Sequence, residues 1–149
     1  MERIELHSDF KEFLRFLNDA DARYLIIGGY AVAYHGYPRA TNDLDLWIAS
    51  DPDNIRKVAD VLRRFGFTDQ TVTQQWMNDP RKMLRMGYPP VRIEVRTEIA
   101  GVSFQEAHPR RVDDTIDDVE VHLIGLYELK KNKRAAGRHK VLADLENLP

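Results

Sequence analysis

Asp43 and Asp45 stand two residues apart inside the apolar run DLDLWI, residues 43–48. An ionised carboxylate in apolar surroundings is costly by several kcal/mol unless something pairs with it. In an extended strand alternate side chains share a face. The two acids therefore project together, about 7 Å apart, while Leu44 and Leu46 point the other way. Such a pair can turn onto one or two divalent cations, and oxygen-only ligands suit a hard ion such as Mg²⁺ shared with substrate phosphates. The rival arrangement is a strand edge facing solvent, with the acids hydrated or paired to Arg39.

Upstream, the apolar segment Tyr24–Ile27 stops at Gly28-Gly29, and Tyr30–His35 reads as a short helix closed by Gly36. Glycines at a strand-to-helix turn let the backbone approach an anion, and a helix start offers unpaired N–H groups. No Gly-Lys-Ser/Thr follows, so this is no P-loop, and the spacing is wrong for a dinucleotide fingerprint. A plain turn is the simpler reading of the pair alone. A third acid is expected for two-metal chemistry, to bridge the ions or to take a proton. Glu94 in VRIEVRT is the candidate. It alternates with Val91, Ile93 and Val95 and shares a polar face with Arg92 and Arg96, which would meet phosphates. A solvated face laced by charge pairs is the competing reading, and Glu98 is the reserve acid. A phosphate cradle facing carboxylates is what phosphoryl or nucleotidyl transfer requires.

Other polar residues carry weaker signals. Lys130, Lys131, Lys133, Arg134, Arg138, His139 and Lys140 form a basic cluster that reads first as a solvated helix face. Some of them can instead meet a triphosphate or an RNA. Arg39 is placed either on a phosphate or on a carboxylate. His35 reads as a helix-end residue, Trp76 and Tyr88 as packing residues rather than base-stacking ones. Asp113, Asp114, Asp117 and Asp118 read as a solvated turn.

The elements that must hold these residues follow from apolar spacing. Ser8 is expected to cap a helix over 9–20 whose apolar face is Phe10, Phe13, Leu14 and Leu17. Asp51 or Asp53 should cap a helix ending at Phe65-Gly66. Segments 67–76, 83–86, 91–97 and 119–123 read as strands, and 103–107, 124–136 and 139–148 as helices. The expected fold class is α/β (α+β): a mixed sheet flanked by helices in one domain over 1–149, because 67–97 is too tightly spaced for crossover helices.

Bulk composition bounds the answer further. The chain has 149 residues, 43% hydrophobic and 31% charged, with a formal charge of −2. That excludes a whole-protein attraction to nucleic acid and leaves only local patches. No apolar run reaches the roughly 18 residues of a membrane span, and the first residues lack a signal-peptide pattern. With no cysteine, disulfides and thiolate sites are excluded, and a reducing, cytoplasmic setting is expected.

The stretch IIGGYAVAYHGYPRATNDLDLWI resembles the nucleotidyltransferase superfamily. It is closest in flavour to small bacterial stand-alone members similar to AbiEii-type toxins. The shared pattern is Gly28-Gly29, His35-Gly36, Arg39 and Thr41, then Asp43-Leu44-Asp45. The tail LYELKKNKRAAGRHKVLADLENL is similar to that family's C-terminal end, with Lys130 or Lys133 and Arg138 matching. The resemblance implies transfer of a nucleoside monophosphate from a nucleoside triphosphate to an acceptor. Gly28, Gly29, Arg39, Thr41, Lys133 and Arg138 would then hold the nucleotide, and Asp43, Asp45 and Glu94 would bind Mg²⁺ or Mn²⁺. RNA or protein is the implied acceptor, with a cognate antitoxin or toxin as a possible partner. The alternatives are a catalytically inactive binding module of the same fold, acting as antitoxin or regulator, and another metal-dependent phosphoryl-transfer or hydrolytic enzyme.

Overall fold

Apolar spacing builds the first helix. Helix α1 (Ser8–Asp19) buries Phe10, Phe13, Leu14 and Leu17 on one stripe. Its cap is not Ser8 but His7, whose Nδ1 accepts the Asp9 N–H at 3.1 Å. Strand β1 (Tyr24–Ile27) is buried throughout and runs directly into α2 (Gly28–Tyr34). Strand β2 (Asp43–Ile48) and helix α3 (Pro52–Phe65) follow, with the Asp51 carboxylate accepting from Asn54 N at 3.1 Å as the cap. Gly66, at φ 110°, ends α3 in a paired closure, Gly66 N to Arg63 O and Phe67 N to Leu62 O. The computed structural model describes residues 4–36, 43–67, 70–88, 91–137 and 145–149.

Helix α4 (Gln70–Asn78) replaces the strand expected over 67–76. Val, Thr and Trp suggest a strand by propensity. Buried Thr73 and Trp76 nevertheless stand three apart, the spacing of one helix face, and packing onto the core decides it. Strands β3 (Leu84–Tyr88) and β4 (Val91–Arg96) form a hairpin. Helix α5 (Phe104–Ala107) is closed by a Ser103–Glu106 capping box. Strand β5 (Val112–Ile116) lies where a solvated turn was expected. Only Asp117 and Asp118, at φ 49° and 69°, make the tight turn into β6 (Val119–Leu123). These acids are also partnered rather than merely solvated: Asp113 with His122 and Arg111, Asp114 with Tyr34, Asp117 with Lys11. Helix α6 (Leu126–Ala136) completes the fold, and the helix expected over 139–148 lies largely outside the described residues.

The six strands form one mixed sheet in the order β3-β4-β2-β1-β6-β5. Neighbours β2/β4 and β1/β6 are parallel; the other three pairs are antiparallel. The fold is therefore α+β, with helices on both faces of the sheet. On one face Leu44, Leu46, Ile48, Ile93 and Val95 pack with α1, α3 and Trp76. On the other, Leu25, Ile27 and Trp47 meet Ala31 and Val32 of α2, Ala107 of α5 and Leu129 of α6. Buried Asn54 ties the layers together. It accepts from Arg23 N and donates to the carbonyls of Arg23 and Ala49. Among the described residues no helix is long and apolar enough to cross a membrane.

Candidate active site

Strand register brings the acids together. In β2, Leu44 and Leu46 are buried in the main core while Asp43 and Asp45 emerge on the opposite face. Because β1 and β2 are antiparallel with Ile27 opposite Asp45, the glycine turn and the acids lie at one end of the sheet, as expected. The parallel pairing of β2 with β4 then sets Glu94 opposite Asp45 and Arg92 opposite Asp43. One row across the sheet thus reads Ile27, Asp45, Glu94, Arg85.

Gly28 takes φ +70°, and a Cβ there would stand 2.9 Å from Asp45 Cγ. The absence of a side chain is what lets the Asp45 carboxyl lie against the backbone of the turn. Gly29 is buried within α2, a helix of seven residues.

The electrostatics of the row are unequal. Burial pushes the Asp45 carboxyl up to about 7. A hydrogen bond with Glu94 and the charges of Glu94 and Asp43 add to that rise, and Arg96 opposes it. Glu94 is buried and lies against three guanidinium groups, with Arg85 Nε at 3.2 Å, Arg92 Nε at 3.4 Å and Arg96 Nη2 at 3.4 Å. Asp43 accepts from Arg92 Nη2 at 2.9 Å. On the far side of the turn, burial and then the charge of Asp43 raise the Tyr30 hydroxyl above its ordinary range.

A divalent cation matches part of this arrangement. Two carboxyls in adjacent strands that share a proton are a site where a cation can replace that proton, and the donors are oxygens suited to Mg²⁺ or Mn²⁺. Asp43 gives its Oδ2 to Arg92. Among the described residues no three acids or histidines already stand in a metal-holding group. The donor set is right in type, and its third member is engaged elsewhere.

The remaining expected residues separate. Glu98 lies past the end of β4, exposed, and is not in the row. Lys133 is buried on α6, the helix whose Leu129 packs with Trp47. His35 caps α2, its Nε2 2.7 Å from the Ile124 carbonyl. Trp76 packs in the core of the opposite face. Arg39, Thr41 and Arg138 lie outside the described residues. Sequence reasoning missed Arg85. Its strand was legible, yet only the hairpin register sets it opposite Glu94.

No protein-family model matches this chain, and no curated protein matches it either.

Proposed function

We propose that the chain is a metal-dependent nucleotidyltransferase that moves a nucleoside monophosphate from a nucleoside triphosphate to an acceptor hydroxyl. The observation that carries this reading is the contact of Asp45 with Gly28 in a row that continues to Glu94. The side-chain-free turn admits the Asp45 carboxyl to the backbone, and the acids gathered there can hold Mg²⁺ or Mn²⁺. When bound, the cation neutralises charge that develops on the phosphoryl oxygens.

The chain's own residues divide the rest of the work. The triphosphate would lie over the turn at Gly28-Gly29, beside the Asp45 carboxyl that packs on it. Asp45 and Glu94 are the paired carboxyls, and Asp43 completes the acid set beside Arg92. The acceptor oxygen bonds to the α-phosphorus, the bond from that phosphorus to the bridging oxygen breaks, and pyrophosphate leaves. The hydroxyl proton passes to the carboxylate of Asp45, the acid that lies against the turn. By the resemblance alone, Thr41, Arg39, Lys133 and Arg138 would also hold the nucleotide. An RNA or protein acceptor, and a toxin or antitoxin partner, belong to the same proposal.

A second reading, an inactive binding module on this fold, is favoured by one feature: Asp43 and Glu94 are already held by arginines. Incubation with labelled nucleoside triphosphates, Mg²⁺ or Mn²⁺ and total RNA or protein extract separates the two. The transferase reading expects label on a macromolecule with release of pyrophosphate, lost in Asp43→Ala and in Asp45→Ala. Full transfer by both variants would rule it out. Metal-dependent triphosphate binding without transfer selects the module, and release of inorganic phosphate selects a hydrolytic enzyme.

A further inference from the structure

The face that carries the acids gathers three guanidinium groups around one carboxylate. Arg85, Arg92 and Arg96 all converge on the single carboxylate of Glu94. Arg92 has a second partner in Asp43. Arg96 is less well served: its Nη2 donates to the Met83 thioether at 2.9 Å, and its buried Nε meets no acceptor. A thioether is a weak acceptor, so this guanidinium keeps unspent donor capacity. Arg85 projects from the edge strand β3 with 59% of its side chain exposed. Three acids and three arginines balance on this face, so a divalent cation bound among the acids would leave it net positive.

Position bears on which anion these arginines could meet. The row runs from the glycine turn through Asp45 and Glu94 to Arg85, three strand spacings or roughly 14 Å in all. On the transferase reading the triphosphate would take the end of the row at the turn. In an in-line displacement the attacking oxygen arrives opposite the leaving group, which is the β3 end. There Gly87 sits opposite Arg92 and places no side chain over it. Guanidinium groups that share one carboxylate are suited to exchange it for phosphate, whose oxygens accept their paired N–H donors.

We propose that Arg85 and Arg96, with Arg92, form an anion subsite that takes a phosphate group carried by the acceptor. The acceptor is then a phosphate ester, either a nucleic-acid backbone or a small sugar phosphate, rather than a protein hydroxyl. The word acceptor rests on the transferase reading; the anion site does not.

The test compares the wild-type chain with R85Q/R96Q, leaving Arg92 in place because it also holds Asp43. Three probes are titrated: a short labelled single-stranded RNA at several salt concentrations, ribose 5-phosphate, and a nucleoside triphosphate with Mg²⁺. If the source is nucleic acid, RNA affinity falls about tenfold or more and its salt dependence loses about two phosphate contacts. If the source is a small ester, ribose 5-phosphate binding is lost and RNA is unaffected. Either outcome supports the subsite, provided that R85K/R96K recovers part of the loss and triphosphate affinity changes by less than about threefold. Unchanged binding of both esters overturns it, as does a collapse of triphosphate binding in step with them. If wild type binds no triphosphate but still needs Arg85 and Arg96 for an ester, the transferase reading fails and the subsite stands.

Discussion

Replacing Asp45 with Asn removes a charge and keeps the shape, and its effect on stability changes with pH. In the folded chain burial, and then the Glu94 hydrogen bond, hold this carboxyl near 7 against an ordinary 3.8. Between these values the folded state keeps a proton that the unfolded chain has released. Stability is therefore lost as pH rises through that window, and the full penalty is present above about pH 7. Roughly three units at about 1.36 kcal/mol each set an upper bound near 4 kcal/mol. Asp45 keeps some solvent contact, so we expect about 2–4 kcal/mol. Urea unfolding in a chelator, followed by fluorescence of the buried Trp47 and Trp76, measures it. Wild type and Asp45→Asn should be nearly equal near pH 4, with the variant more stable by that margin near pH 8. Excess Mg²⁺ should then narrow the gap, since a cation bound at 100 times its Kd stabilises the wild type by about 2.7 kcal/mol. Parallel stability curves for the two proteins from about pH 4 to 8 would refute the reasoning, because Asp45 would then ionise as freely folded as unfolded.

Three further outcomes follow from the same geometry. Gly28→Ala drives a Cβ into the Asp45 carboxyl at a positive φ, and should cost about 1–3 kcal/mol in urea unfolding while weakening triphosphate binding. Arg92→Gln frees Asp43 from a partly exposed ion pair, so Mn²⁺ should bind about two- to fivefold more tightly by calorimetry. Asn54→Ala leaves the Arg23 N–H and the carbonyls of Arg23 and Ala49 without their buried partner, and should lower unfolding stability by about 2–4 kcal/mol at every pH.

Most elements could be read in the chain because local chemistry sets them. The Asp51 cap and the Gly66 closure bound α3, and Ser103 with Glu106 bounds α5. Alternation of apolar and charged residues set β2 and β4, and with them the shared face of Asp43 and Asp45. Helix α4 and strand β5 were misread for opposite reasons. The first has strand-forming residues whose burial follows a helical stripe. The second has acids that an edge strand tolerates because His122, Arg111 and Tyr34 pair with them.

The residue types alone determined which chemistry is available: paired carboxylates on one strand face, a glycine turn before them, and a third acid flanked by arginines. Periodicity within a strand is a local property, so it survives without a fold. What stands beside what was decided only by pairing between strands. The parallel register of β2 with β4 put Glu94 against Asp45, the turn at Gly28 closed on the same carboxyl, and the β3 hairpin delivered Arg85 to the far end of the row. The same pairing set Arg92 on Asp43. Each of these contacts joins residues distant in the chain, and the burial and charge they create exist only once the sheet has formed.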